Sequence, residues 1–399
     1  MSARVPGARR GACGPSARGF TLLELLVGSV ISLIAIGLVL LTFLGQQKAF
    51  QSTDLNRAAG RMERDALLEL EGGLRRAGWG IDPRYAFDFA TYACAAVPCR
   101  DKIAAPDELV FVSRNPNYRW RDNGVSGCVA LGGCYDGNAW AVKAVTATSI
   151  TIDTKAGDLF HNGRVVLAVC ANGTNASMGT VAATLSAVGN DKVMALQAVG
   201  TDPYHLNAWT VDPCFTQPGS TLFLVDRYRY FISTYSAVPW LMLDTGLDLD
   251  LNGLVDVNDY TPIAQGVEDM QVAYALNVGT TFGIAAPDSN ADWVIGNAPG
   301  VQEEPDPTAA APTYQSASNA PARFNKHPAN IRSVRITLGV RSINQDPSQA
   351  STWPGDSLLL SENRNSPASN VVPTEKLRRF HTATSVYARD MESRSNFIF

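Results

Sequence analysis

The chain has 399 residues, 46% of them hydrophobic and 18% charged, so it has the length for two or three domains and ample material for a core. Its formal charge of −4 excludes the basic field that an electrostatic nucleic-acid surface requires, and no direct nucleic-acid contact is expected. Four scattered histidines (His161, His205, His327, His381), with no H-E-x-x-H, no G-x-S-x-G and no phosphate-binding glycine loop, give no enzyme signature, and no enzymatic activity is expected.

The first nineteen residues hold Arg4, Arg9, Arg10 and Arg18 and no acidic residue. From Phe20 to Leu44 the chain is apolar, and Glu24 is its single charge. As a helix this run is about 37 Å long, enough to cross a hydrocarbon core of about 30 Å. A carboxylate inside such a segment costs roughly 3 kcal/mol or more and calls for a partner. A secretory signal would place its small-residue cleavage site after the apolar run, whereas here Gly19 precedes it.

The stretch Arg18-Gly19-Phe20-Thr21-Leu22-Leu23-Glu24 resembles the cleavage and methylation motif of type IV prepilins and type II secretion pseudopilins. The resemblance implies that residues 1–19 are a leader, cut by a prepilin peptidase between Gly19 and Phe20. It implies an N-methylated Phe20 as the mature terminus, and Glu24 as the assembly carboxylate, paired with the terminal ammonium of a neighbouring subunit. Buried charge is tolerated when paired, in agreement with that role. Loss of the leader's four arginines takes the net charge from −4 to −8. Major pilins usually carry a proline in the second half of this helix. None lies between Phe20 and Phe50, which fits a minor pilin or pseudopilin.

Beyond the membrane-spanning half, Leu55, Ala59, Met62, Ala66, Leu70 and Leu74 recur at three- and four-residue steps. This amphipathic stripe predicts that the helix continues and packs on its own domain until Gly78-Trp79-Gly80 and Pro83 stop it. The expected helix therefore covers residues 20–77, with 20–44 as its membrane and assembly half.

From residue 78 to 399 the pattern is that of a β-rich head. Short apolar runs predict strands at Leu109–Val112, Ala139–Val145, Ile150–Asp153, Val165–Val169, Val193–Val199 and Leu222–Ile232. Alternation predicts half-buried strands through Val334, Ile336, Leu338 and Val340 and through Phe380, Thr382, Thr384, Val386 and Ala388. Residues 296–330 carry six prolines and read as a long loop. Once Cys13 leaves with the leader, Cys94, Cys99, Cys128, Cys134, Cys170 and Cys214 remain. An even count beyond a membrane segment predicts disulfides. Fifteen pairings are open; local closure favours Cys94–Cys99 and Cys128–Cys134 and leaves Cys170–Cys214 as the long bridge. The spacings, with no histidine nearby, are not those of a zinc site.

Residues 248–259 match an EF-hand-type calcium loop. Asp248, Asp250 and Asn252 stand at its positions 1, 3 and 5, and Gly253 at the sharp turn. The Leu254 carbonyl, Asp256 and Asp259 complete the set at 7, 9 and 12. Alternate side chains of a tight loop converge on one hard cation, so one bound Ca2+ is expected. Position 12 is Asp rather than Glu, and Pro262 interrupts any regular exiting helix.

Three further segments resemble the PilW group of minor pilins: Gly266-Val267-Glu268-Asp269-Met270-Gln271-Val272-Ala273-Tyr274, Val334 to Ser342, and Arg378-Arg379-Phe380. The likeness covers the first 80 residues and pieces of the last 140, and does not reach residues 85–215. It implies an α+β fold, a long pilin helix packed on a mainly antiparallel head with long loops. It also implies a structural subunit of the initiating or tip complex of a type IV pilus, serving pilus-dependent adhesion, motility or DNA uptake. Before assembly such a protein is single-pass in the inner membrane with its head in the periplasm; afterwards it lies in the fibre at the cell surface. Its implied partners are other minor pilins and the major pilin, the prepilin peptidase and a large PilY-type tip adhesin. Two other readings stay open, a type II secretion pseudopilus tip subunit and a calcium-dependent adhesin tethered through the pilin route.

Overall fold

The computed structural model describes residues 21–81, 85–88, 100–102, 105–114, 120–121, 134–135, 139–153, 160, 162–171, 175–182, 186–188, 191–198, 209–247, 249, 256–276, 293–295, 331–346, 377 and 379–391. It is an α+β protein in which one long N-terminal helix precedes an antiparallel, β-rich head. The chain falls into two compact units, Met1–Thr53 and Asp54–Phe399. The predicted loop at 296–330 lies outside the described residues.

Helix α1 (Leu22–Leu74) begins two residues after the predicted start and ends three before the predicted stop. At its end the hydrogen bonds tighten, with Arg76 N donating to Gly73 O and Ala77 N to Leu74 O, before Gly78 N turns away to Val112 O. In the first unit, residues 21–50 are exposed apart from half-buried Gly37, and the helix is long and apolar enough to cross a membrane.

In the second unit the strands are β1 (Leu109–Arg114), β2 (Trp120–Arg121), β3 (Cys134–Tyr135), β4 (Ala139–Val145), β5 (Ser149–Asp153), β6 (Val165–Val169), β7 (Ala176–Thr180), β8 (Ser186–Val188), β9 (Asp191–Ala195), β10 (Thr221–Tyr235), β11 (Val238–Asp244), β12 (Thr261–Gln265), β13 (Val267–Leu276), β14 (Trp293–Ile295), β15 (Ile331–Arg341) and β16 (Arg379–Tyr387). The larger sheet runs β12-β11-β10-β4-β5-β9-β8, with β1 and β6 also on β10 and β7 on β6. The smaller runs β14-β13-β15-β16, and β2 pairs with β3. The strand expected at Val193–Val199 lies at Asp191–Ala195; Leu196 instead forms a single bridge to Val181.

β10 is the strand on which the head is built. Its start pairs with β4 and β6, its middle with β1, and its end with β11. Because successive side chains alternate in direction, Leu222 and Leu224 enter one core while Phe223 and Val225 enter another. β6 does the same, with Val166 and Ala168 on one side and Val165, Leu167 and Val169 on the other. A continuous apolar run is what a strand buried on both faces requires. Further along β10, Tyr230 enters a third core with Leu109 and Phe111 of β1 and the inner face of β13 and β15. Ala66, Leu70 and Leu74 of α1 close that core. Two hydrogen bonds pin the helix there, Tyr230 Oη to Glu69 Oε1 at 3.2 Å and Thr384 Oγ1 to Glu71 Oε1 at 2.9 Å.

Adjacent glycines near the end of α1 face opposite surroundings. A Cβ on Gly72 meets nothing within 4 Å, whereas one on Gly73 would stand 2.8 Å from Tyr230 Oη and 3.0 Å from Phe111 Cζ. Gly72→Ala is expected to stabilise the head by about 0.5–1 kcal/mol, the usual gain in a helix interior. Gly73→Ala is expected to destabilise it by about 1–3 kcal/mol through overpacking. Denaturant unfolding of the two variants checks the sign of each.

Candidate functional site

Helix α1 opens on Thr21, whose Oγ1 accepts from Glu24 N at 3.2 Å, while Glu24 Oε2 accepts from Thr21 N and Thr21 Oγ1, both at 3.1 Å. This is a capping box: the side chains of the cap and of the third helical residue satisfy each other's exposed backbone donors. The negative charge also sits where the helix dipole favours it. The spacing Thr21-Leu22-Leu23-Glu24 carries the capping signal in the sequence, and a reading of Glu24 as an assembly group alone passes over it. Gly19 and Phe20 lie outside the described residues.

Of the loop at 248–259, Leu249 and residues 256–259 are described; Asp248, Asp250, Asn252 and Leu254 lie outside the described residues. Asp256 caps a 3-10 turn at Val257–Asp259, its Oδ1 accepting from Asn258 N at 2.8 Å. Asp259 is 2% exposed. Its Oδ2 accepts from Asp256 N at 2.8 Å and its Oδ1 from Leu249 N at 2.6 Å, drawing the two ends of the loop together.

Cys170 and Cys214 form a disulfide with Cα atoms 5.4 Å apart, closing a separation of 44 residues. Asp212 orders the approach: its Oδ1 accepts from Cys214 N at 2.8 Å and its Oδ2 from Asn175 Nδ2 at 2.6 Å. These three residues are the one potential metal-binding group among the described residues, and the S–S bond takes both thiolates out of use. Cys134 lies in β3, and Cys94, Cys99 and Cys128 lie outside the described residues.

A buried charge network that no local motif announces braces β10. Arg229 Nε donates to Glu108 Oε2 at 2.8 Å and its Nη1 to Asp244 Oδ2 at 3.2 Å. Arg227 Nη2 reaches the same Asp244 oxygen at 3.0 Å. Arg100 bridges Glu108 and Asp88, and Lys102 Nζ adds a contact to Glu108 Oε1 at 2.9 Å. Burial pushes the Glu108 carboxyl up, but the bond and charge of Arg229, with Arg100 and Lys102, outweigh it and hold the group at about 2. Next to it, Asp107 stitches the two sheets. Its N donates to Met270 O at 2.7 Å, Oδ2 accepts from Val272 N at 2.8 Å, and Oδ1 accepts from Lys102 N at 2.7 Å. Burial, with Asp101 nearby, pushes the Asp107 carboxyl well above the usual carboxylate range.

Taken together, the described elements form an apolar helix with a capped carboxylate at its start and a braced, disulfide-bonded head, an arrangement suited to assembly. Residues 229–387, from the second half of β10 through β16, match the family model described as Type IV Pilus-assembly protein W. Residues 15–40, across the predicted cleavage point and into α1, match the one described as Prokaryotic N-terminal methylation motif. No curated protein and no solved structure matches the chain. That family is a structural pilus-assembly component rather than a known class of enzyme, and its members work with other pilus components. The two matches, one across the start of α1 and one on the head, support a PilW-type minor pilin of the type IV pilus.

Proposed function

We propose that this pilin is a structural subunit of the initiating or tip complex of a type IV pilus. It is cut after Gly19, carries a methylated Phe20, and enters the fibre when Glu24 pairs with the terminal ammonium of a neighbour. Before assembly it is held in the inner membrane by α1 with its head in the periplasm, and a large PilY-type adhesin is its partner at the tip. The observation that carries this reading is a single carboxylate, Glu24, in the otherwise apolar, exposed stretch 22–44 of α1, in a segment that matches the methylation motif. Residues 22–44 are exposed apart from half-buried Gly37, and an apolar surface of that kind is expected to find lipid or other subunits. Mass spectrometry of the protein from sheared fibres is expected to give Phe20 as the first residue, methylated. A protein that starts at Met1 in cells with active prepilin peptidase, or one absent from the fibres, overturns it.

One Ca2+ at 248–259 belongs to the same proposal, held by Asp248, Asp250, Asn252, the Leu254 carbonyl, Asp256 and Asp259. Asp259 supports it by drawing Leu249 and Asp256 together, bringing the ends of the loop to one place. The ion would neutralise four crowded carboxylates and order this surface for a neighbouring subunit. The affinity expected of such extracellular loops is about 10⁻⁴ to 10⁻³ M. Calorimetry with calcium, magnesium and Asp250→Ala is expected to show a calcium response that the variant lacks; equal responses leave the loop an acidic turn.

A further inference from the structure

From Asp54 to Leu74, α1 turns Ala59, Ala66, Leu70 and Leu74 into the buried side of the head and leaves its opposite face in solvent. On that solvent face stand Arg57, Arg61 and Arg64, all exposed. Their spacings of four and three residues put them in one row of the helix. Leu68, 68% exposed, continues the row. Arg75, beyond the end of the helix, is paired with Glu71 at 3.5 Å. Arg57, Arg61 and Arg64 make no ion pair among the described residues; Arg64 Nε bonds the Gly60 carbonyl at 3.1 Å. Three like charges one turn apart repel one another, and a large apolar side chain beside them stays wet.

The rest of the helix narrows what can relieve both costs. Between residues 54 and 75 four arginines (57, 61, 64, 75) face five acids (Asp54, Glu63, Asp65, Glu69, Glu71), a net charge of −1. A helix with no net positive charge is not drawn to an anionic bilayer, which attracts polybasic segments by their summed charge. A discrete acidic segment, by contrast, can address the arginine row alone, because guanidiniums pair with carboxylates in a fixed, bidentate geometry. Arginine is also among the residues enriched at interfaces. The row lies on the same helix whose first half is the assembly element.

We infer that Arg57, Arg61, Arg64 and Leu68 form a docking surface for an acidic segment of another subunit of the fibre. Its carboxylates pair with the three guanidiniums while an apolar residue of that segment covers Leu68. The inference rests on the pilin reading above.

The test uses the full-length protein in the cells that make it, with a photo-crosslinking residue in place of Leu68 and readout on sheared fibres. Crosslinks are expected to a peptide of another pilin that carries at least two Asp or Glu beside the attachment point. Arg57→Glu/Arg61→Glu/Arg64→Glu together are expected to cut that yield at least tenfold with protein level and protease resistance unchanged. Changing the partner's carboxylates to Lys in the triple variant is expected to restore it. Adducts with lipid only, adducts to a segment without carboxylates, or an unchanged yield in the triple variant overturn the docking surface. Wild-type protein present in fibres without any crosslink defeats the docking surface while the pilin reading stands; wild-type protein absent from fibres defeats both.

Discussion

Glu24→Gln is expected to be synthesised and inserted normally yet to fall at least tenfold in sheared fibres. The substitution separates two tasks that the carboxylate can perform. Glutamine retains the capping geometry, since the third helical position of a capping box accepts either side chain, so the bonds to Thr21 survive. It also lowers the membrane insertion cost, so a shortage in the fibre cannot come from poorer insertion. What glutamine lacks is the negative charge. An ammonium left without its carboxylate in a water-poor fibre interior costs about 3–5 kcal/mol, more than a hundredfold in the assembly equilibrium. Thr21→Ala gives the converse: it removes the cap at about 1 kcal/mol and keeps the charge, so assembly is expected to stay near wild type. Fibre content of Glu24→Gln equal to wild type would leave Glu24 as a cap and nothing more.

The parts of the molecule that were legible in the sequence are those whose cause is local. The helix shows in the three- and four-residue recurrence from Leu55 to Leu74, and the buried residues Ala59, Ala66, Leu70 and Leu74 follow it. β15 shows in the alternation of Val334, Ile336, Leu338 and Val340, all fully buried, and β6 shows as an unbroken apolar run because both its faces are covered. β7 was hidden. Its residues Ala176 to Thr180 have little apolar character, and pairing with β6 rather than propensity makes them a strand. The Glu108–Arg229 contact joins residues 121 positions apart, so no window of sequence contains both. Nothing in the sequence marks Asp107 out, and its function becomes visible only when β13 arrives at its backbone and carboxylate. The loop at 248–259 was legible as a ligand pattern, but the capping performed by Asp256 and Asp259 depends on how its ends meet.

Gly266→Ala is expected to destabilise the head more than any other single methyl addition described above. Gly266 is the one residue between β12, at the edge of the larger sheet, and β13 of the smaller. Its N donates to Pro239 O on one side and its O accepts from Arg341 N on the other, both at 2.8 Å, so a single residue joins the two sheets. The chain makes this turn at φ +82°, in the left-handed region, where an L side chain costs about 1–2 kcal/mol. A Cβ there would lie 2.5 Å from Arg341 O, a backbone atom at the end of β15. Because Arg341 is held by Gly266 and by its pairing with Arg379, relief requires moving a strand rather than rotating a side chain. The sum is expected to be about 3 kcal/mol or more, a large share of the 5–15 kcal/mol by which domains are stable. Denaturant unfolding beside wild type and Gly72→Ala checks it, with limited proteolysis reporting whether β11 and β15 loosen together. A Gly266→Ala midpoint indistinguishable from wild type would show that the junction yields without strain, and that the two sheets are not held through this residue.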